Sequence, residues 1–172
     1  MVEDTENVLR IVWHSRDFGK EGKLKGSAFS ASDLVVVQGA KTTDRYVSMD
    51  RYQGLSKDSV DWRIAKATMD GTGAKERRIA PKFAEFNSGE LRAARDEVGT
   101  TMFEVTPFPL LKDEDGLGSP PNPAHVGICS KSTVPLSEDE RKLRVEQLRT
   151  KLLDCRRRTI DYADLFGGGA AA

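Results

Sequence analysis

The sequence holds few of the residues that cross-link small proteins through disulfides or metal ions. Its 172 residues include two cysteines and two histidines. Cys129 and Cys155 are far apart in the chain and form neither a C-x-x-C pair nor a His/Cys spacing typical of zinc sites. We therefore expect two reduced thiols, no bound metal and no cofactor. A chain of this length buries enough apolar surface to fold without such cross-links.

An excess of charge and a long apolar run are also missing. The 27 Lys and Arg residues balance 27 Asp and Glu residues, which argues against a global basic surface for nucleic acid. The longest strongly apolar run, residues 34–37, is too short to span a membrane, and residues 1–4 are acidic where a signal peptide is basic. We expect a cytoplasmic protein that binds neither membrane nor nucleic acid.

Apolar spacing predicts a mixture of strands and helices. Short β-branched or aromatic runs bounded by polar residues predict strands at residues 8–13, 34–37, 46–49, 101–105 and 124–129. Helical spacing and capping residues predict helices at residues 56–67, 87–99 and 138–158. The predicted fold class is α+β, or α/β, with a small mixed sheet, two or three packed helices and a long C-terminal helix.

The C-terminal helix has the strongest local signals. Ser137 and Glu140 match a capping box, acidic residues occupy its first turn, and Arg156, Arg157 and Arg158 complement the helix dipole at its end. An apolar seam runs along one side of this helix, formed by Val145, Leu148, Leu152 and Cys155. The seam suits docking on its own domain, or binding another protein subunit or a second copy of the chain.

The pattern predicts three parts of unequal size. We expect a single compact α+β domain over residues 8–136 and an amphipathic C-terminal helix within residues 137–166. Residues 167–172 are three glycines followed by three alanines. They offer no side chain larger than a methyl group to pack, so we expect a flexible tail there.

Three segments resemble a family of small, poorly characterised bacterial proteins. They read Ser-Ala-Phe at 27–29, Tyr-Val-Ser-Met-Asp-Arg at 46–51 and Pro-Asn-Pro-Ala-His-Val at 121–126. The resemblance covers about residues 8 to 130 and implies a shared compact fold, without an established activity. This chain differs from the family pattern in a longer insertion between residues 70 and 87 and in the added C-terminal helix, additions that suit a partner.

The two histidines are candidate acid/base residues, because an imidazole titrates near neutral pH. His14 follows the first predicted strand and His125 begins another. Both rings face one cleft if these strands are neighbours in a suitable register. In the alternative interpretation, His125 hydrogen-bonds backbone at a turn.

A glycine-rich segment after the first strand is a candidate anion site. Its ammonium and hydroxyl groups belong to Lys20, Lys23, Lys25 and Ser27. Exposed amides and lysines in such a loop can hold a phosphate, although the segment is not a Walker motif. A solvated loop is the alternative interpretation.

Two functions follow from these patterns. The favoured one is a noncatalytic protein-interaction module, or subunit, of a bacterial multiprotein system that uses the C-terminal helix and the proline-rich residues 107–123 as contact surfaces. The alternative is an enzyme acting on a phosphate- or nucleotide-containing substrate. In that enzyme His14 and His125 are the acid/base groups, and residues 20–27 hold the anion.

Overall fold

A computed structural model describes residues 1–30, 34, 46–67, 81–113, 117–130 and 137–167, apart from the side chains of His14 and Ser15. Its six strands are β1 (Asn7–Trp13), β2 (Val47–Arg51), β3 (Pro81–Asn87), β4 (Phe103–Pro107), β5 (His125–Ser130) and β6 (Arg156–Asp161). They form one sheet in the order β4-β5-β2-β1-β3-β6. Every pairing is antiparallel, so the sheet is not mixed, and the class is α+β rather than α/β.

Five α-helices accompany this sheet in the described residues. They are α1 (His14–Asp17), α2 (Lys57–Ala67), α3 (Ser88–Ala93), α4 (Glu138–Asp154) and α5 (Tyr162–Phe166), with a 3-10 turn at Gly26–Ala28. None of the described helices is long and apolar enough to cross a membrane.

Strand β1 lies inside the sheet, and its apolar run explains this position. Val8 and Val12 are fully buried on one face, while Leu9 is fully buried on the other. The strand pairs with β3 along its whole length, from Asn7 opposite Asn87 to Trp13 opposite Pro81. The predicted strand at residues 8–13 is confirmed.

The sheet is covered by helices on both faces, and we name each face by its main helix. On the α4 face, a larger core combines strand residues such as Val8 and Met49 with α4 and with Phe29. On the α2 face, a smaller core combines Leu9 and Phe83 with α2 and α5. Side chains on the two faces therefore point in opposite directions, away from each other.

The predicted helix at residues 138–158 is correct at its start and wrong at its end. Ser137 caps α4 through the expected capping box with Glu140. The helix ends at Asp154, and residues 156–161 instead form β6 along the edge of β3. This helix is also not the last element, because α5 follows β6.

Tertiary contacts explain why the chain leaves the helix there. Nε of Arg158 lies 2.6 Å from Oε2 of the buried Glu85, and Ile160 is buried opposite Phe83. These contacts and the strand hydrogen bonds override a charge pattern that favours the helix. The described parts of residues 8–136 and 137–166, predicted as separate parts, are joined through β6 in one sheet and through α4 in the larger core. Residues 168–172 lie outside the described part.

Other predicted boundaries move by short distances. The helix near residue 57 is confirmed as α2, and Asn87 caps α3 as expected, but α3 ends at Ala93 rather than at Gly99. Gly99 instead has a φ of 84° and lies in a turn between the bridged residues 95 and 101. The strand predicted at 101–105 is found two residues later as β4, and that at 124–129 is confirmed as β5.

The strand predicted at residues 34–37 is not seen where the structure describes it. Leu34 has a helical backbone and is buried, whereas residues 35–37 lie outside the described residues. The strand predicted at 46–49 is confirmed as β2, which begins at Val47 and extends to Arg51.

Candidate functional site

The candidate site is built around His125, the first residue of β5. His125 pairs with Asp50 of β2, and antiparallel partners lie on the same face, here the α2 face. Their side chains are almost completely buried, and Nδ1 of His125 lies 3.3 Å from Oδ1 of Asp50. Because an ionised carboxylate only accepts hydrogen bonds, Nδ1 carries the hydrogen and donates it to Asp50.

Asp50 also accepts hydrogen bonds from a helix and from a loop. Nη2 of Arg63, on α2, lies 2.5 Å from Oδ2, and Nδ2 of Asn122 lies 2.7 Å from Oδ1. Burial alone would raise the pKa of the Asp50 carboxyl, but the hydrogen bonds from His125, Arg63 and Asn122, with the charge of Arg63, hold that pKa below its usual range. Asp50 is therefore a buried, ionised carboxylate with three donors around it.

The other nitrogen of the imidazole faces a hydroxyl group. Nε2 of His125 lies 3.5 Å from Oγ of Ser48. Ser48 is two residues before Asp50 on β2, so both side chains lie on the α2 face. Ser48 is partly exposed, whereas Asp50 and His125 are buried. The three side chains form a row, from a partly exposed hydroxyl through an imidazole to a buried carboxylate.

The side-chain amide of Asn122 is held in one orientation against Asp50. Its Nδ2 must face the carboxylate of Asp50, because the opposite orientation would place two oxygens against each other. Oδ1 of Asn122 then has no hydrogen-bond partner among the described residues. The backbone of Asn122 is held by two hydrogen bonds to Leu110, so the residue has little freedom to turn away. A buried acceptor of this kind needs a donor, such as a water or a ligand.

Two aromatic rings lie beside this row. The rings of Tyr46 and Phe108 are stacked, with centroids 4.7 Å apart, and the ring of Tyr46 is 5.7 Å from that of His125. Both rings cover Gly127, where a Cβ atom would come within 2.7 Å of them. Gly127 pairs with Ser48 across the strands, so the partly exposed aromatic pair adjoins the hydroxyl group.

The predicted partner-binding seam is instead part of the core. Leu148 and Leu152 are fully buried and Val145 is 5% exposed, all in the larger core under α4. The prediction that these residues bind a partner is wrong, because they contact their own domain. Of the two arrangements that the seam allowed, the structure has the internal one.

The predicted anion loop lies on the α4 face, away from His125. Leu24 and Ala28 from this segment are buried in the larger core, and a Cβ atom at Gly26 would meet Arg149 of α4 at 3.2 Å. Amide groups of the loop bond its own carbonyls, as from Gly19 to Lys23. The exposed Lys20, Lys23, Lys25 and Ser27 therefore do not share a site with His125, and Lys23 forms an ion pair with Glu21.

His14 begins α1, and its side chain lies outside the described part of the structure. The predicted pair of histidines therefore stays a prediction. The side chain of His125 bonds a carboxylate and a hydroxyl, rather than the backbone carbonyl that a simple turn histidine would use.

A separate groove of about 520 Å³ lies between α4 and the turn that follows α3. Val98 and Leu143 on its sides are 86% and 63% exposed, and charges of both signs line it. It opens beside α4, whereas His125 lies on the α2 face. The groove is therefore a different surface from the row around His125.

Sequence reasoning missed Ser48, Asp50, Arg63 and Asn122. A signal for three of them was present, because Ser48 and Asp50 alternate in the segment 46–51 and Asn122 precedes His125 in the segment 121–126. Polar residues at alternate positions of a buried strand share a face and need partners. The partner strand, however, could not be read from either segment alone.

Comparisons with protein-family models, with curated proteins and with solved structures give no match to this chain. Within the described ranges, no group of three His, Cys, Asp or Glu side chains could hold a metal ion. Cys129 and Cys155 form no disulfide bond in the described structure.

Proposed function

We propose that this protein is an enzyme in which His125 acts as the acid/base residue. The observation that carries the proposal is the row itself: Nδ1 faces the Asp50 carboxylate and Nε2 faces the Ser48 hydroxyl. With its hydrogen on Nδ1, a neutral imidazole offers a lone pair on Nε2, which is the form that a general base needs.

The surroundings of Asp50 support this role for His125. When an imidazole accepts a proton, the resulting cation is stabilised by a neighbouring carboxylate. Arg63 binds Oδ2 of Asp50, which leaves Oδ1 directed at His125. Arg63 also donates from Nε to the carbonyl of Ser59, so its guanidinium is fixed to α2. The carboxylate is thus held in place before any proton moves.

Oδ1 of Asn122, which has no hydrogen-bond partner in the described part of the chain, supports a site that meets a ligand. Buried networks that only stabilise a fold usually satisfy every polar group. Among the described residues, Oδ1 of Asn122 has no partner, and it lies beside the carboxylate that orients His125. A substrate or a catalytic water with an N–H or O–H group would supply the missing donor.

The noncatalytic module is the competing function. Its main support was the seam of α4, and those side chains are buried in their own core. The resemblance to a bacterial family supplies no activity and favours neither function. The phosphate or nucleotide substrate rested on the loop at residues 20–27, which lies on the opposite face from His125.

The test is hydrolysis of a small panel, p-nitrophenyl acetate, p-nitrophenyl butyrate and p-nitrophenyl phosphate, by purified protein. His125→Asn keeps an N–H group for Asp50 but removes Nε2, and we expect it to lower the rate by about 10²- to 10⁴-fold. Asp139→Asn is the control, because the side chain of Asp139 is 98% exposed on α4, and it should retain the rate. Equal rates for wild type and His125→Asn on the whole panel would overturn the proposal and favour the module.

A further inference from the structure

We infer that Ser48 is the nucleophile of this site and that the substrate is a carboxylic ester or another activated acyl group. The inference rests on the proposed function of His125 and adds the residue that carries the acyl group. Ser48 lies at the partly exposed end of the row.

Strand geometry holds Ser48 in a defined place. Ser48 on β2 pairs with Gly127 on β5. His125, also on β5, lies diagonally opposite Ser48. From the other face, Nη1 of Arg10 donates to the Ser48 carbonyl at 3.0 Å. A nucleophile on a paired strand has less freedom than one on a loop, which favours a fixed attack geometry.

The gradient of burial also suits a nucleophile. Asp50 and His125 are 1% and 3% exposed, whereas Ser48 is partly exposed. A carboxylate and an imidazole that exclude water interact more strongly, and the hydroxyl has to meet the substrate. A structural hydrogen bond alone would not require this order.

Charge and shape favour an acyl group over a phosphoryl group. Among the described residues, the positively charged side chain that hydrogen-bonds within this row is Arg63. Its guanidinium already donates to Asp50 and to the carbonyl of Ser59. The ring pair of Tyr46 and Phe108 adjoins Ser48 and offers an apolar surface. An uncharged acyl chain can pack on such rings, whereas a phosphate needs a counter-charge.

The reaction has two steps, transfer of the acyl group to Ser48 and its hydrolysis by water. Oγ of Ser48 forms a bond to the carbonyl carbon of the ester, and its proton passes to Nε2 of His125. The carbon–oxygen bond to the alcohol breaks, and the alcohol leaves with that proton. Water then attacks the acyl group on Ser48 and gives a proton to His125, which returns it to Oγ of Ser48 as the carboxylic acid leaves.

The experiment uses a fluorophosphonate probe with intact-mass measurement and peptide mapping. We expect one adduct per chain, on Ser48, and none on Ser48→Ala. Labelling of His125→Asn should be slower by on the order of 100-fold. Ser27→Ala is the matched control, because Ser27 is exposed and belongs to the α4 face, and it should label like wild type. Circular dichroism melting confirms that each variant is folded.

The outcomes separate the two proposals. If ester hydrolysis depends on His125 but Ser48 takes no label and Ser48→Ala keeps its rate, the inference fails while the function of His125 stands. If Ser48 is labelled equally fast in wild type and His125→Asn, its reactivity is adventitious and the inference fails. If neither hydrolysis nor labelling depends on these residues, both proposals fail.

Discussion

Replacing Asp50 by Asn should destabilise the protein by about 3 kcal/mol at neutral pH. Asp50 is 1% exposed and accepts hydrogen bonds from Arg63, His125 and Asn122. The amide of Asn keeps the shape of the carboxylate but removes its charge and one of its two acceptor atoms. The substitution therefore leaves the guanidinium of Arg63 without its counter-charge.

The magnitude follows from the burial of the two partners. Removing one partner from a buried ion pair costs about 3–5 kcal/mol, and each hydrogen bond to a charged group contributes about 1.5–3 kcal/mol. The side chain of Arg63 is 21% exposed, so water can replace part of the lost interaction. The remaining oxygen of Asn can still accept one hydrogen bond. Both effects place the expected loss at the lower end of the range.

The loss should depend on pH in a direction that the pKa of Asp50 determines. This pKa is lowered in the folded protein, whereas an unfolded Asp titrates near about 3.9. The folded state thus binds fewer protons, and the contribution of Asp50 is fully present above about pH 4. It is lost as the pH falls through the lower, folded pKa. The stability difference between wild type and Asp50→Asn should therefore narrow as the pH falls from about 4 towards the folded pKa of Asp50.

Urea unfolding followed by circular dichroism, at pH 7 and at steps down to about pH 2.5, measures this difference. Asp139→Asn is a matched control, because the side chain of Asp139 is 98% exposed, and we expect it to change stability by less than about 1 kcal/mol at neutral pH. A loss below about 1 kcal/mol for Asp50→Asn, or a difference that does not change with pH, would refute the reasoning.

Three further predictions concern packing, each measured by thermal or urea unfolding. Leu148→Ala should cost about 2–5 kcal/mol of unfolding free energy, because Leu148 is fully buried. Leu143→Ala, at a position 63% exposed, should cost less than about 0.5 kcal/mol. A loss for Leu148→Ala as small as that for Leu143→Ala would contradict the packing of α4 in the core. Gly127→Ala should cost about 1–3 kcal/mol, because its Cβ would displace the ring of Phe108, and an unchanged midpoint would contradict this packing. Deleting residues 137–172 should prevent cooperative folding, because it removes α4 and β6, and a fragment with a sharp melting transition would contradict it.

The sequence alone was sufficient for elements that depend on near neighbours in the chain. A β-branched run predicted β1, and helical spacing from Ser56 predicted α2. Asn87 and Ser137 predicted the starts of α3 and α4, because a cap bonds amides only a few residues away. Such interactions form within one segment, so their signals are complete within that segment.

The end of α4 was decided by the tertiary structure. Arg156, Arg157 and Arg158 suit a helix C-terminus by charge, yet they lie in β6. The open edge of β3 and the buried Glu85 provide partners whose positions depend on the whole sheet. The same holds for the seam of α4, since an amphipathic pattern shows that one side of a helix is covered but not by what.

The site around His125 depended on strand pairing in the same way. Asp50 and His125 are 75 residues apart in the chain, and each lies in a segment that the sequence singled out. Their contact, and the position of Ser48 beside it, follow from the register of β2 against β5. Side chains on a strand alternate between faces, so a shift by one residue would have turned Ser48 and Asp50 to the other face. That register is set by the packing of both sheet faces, which no single segment contains.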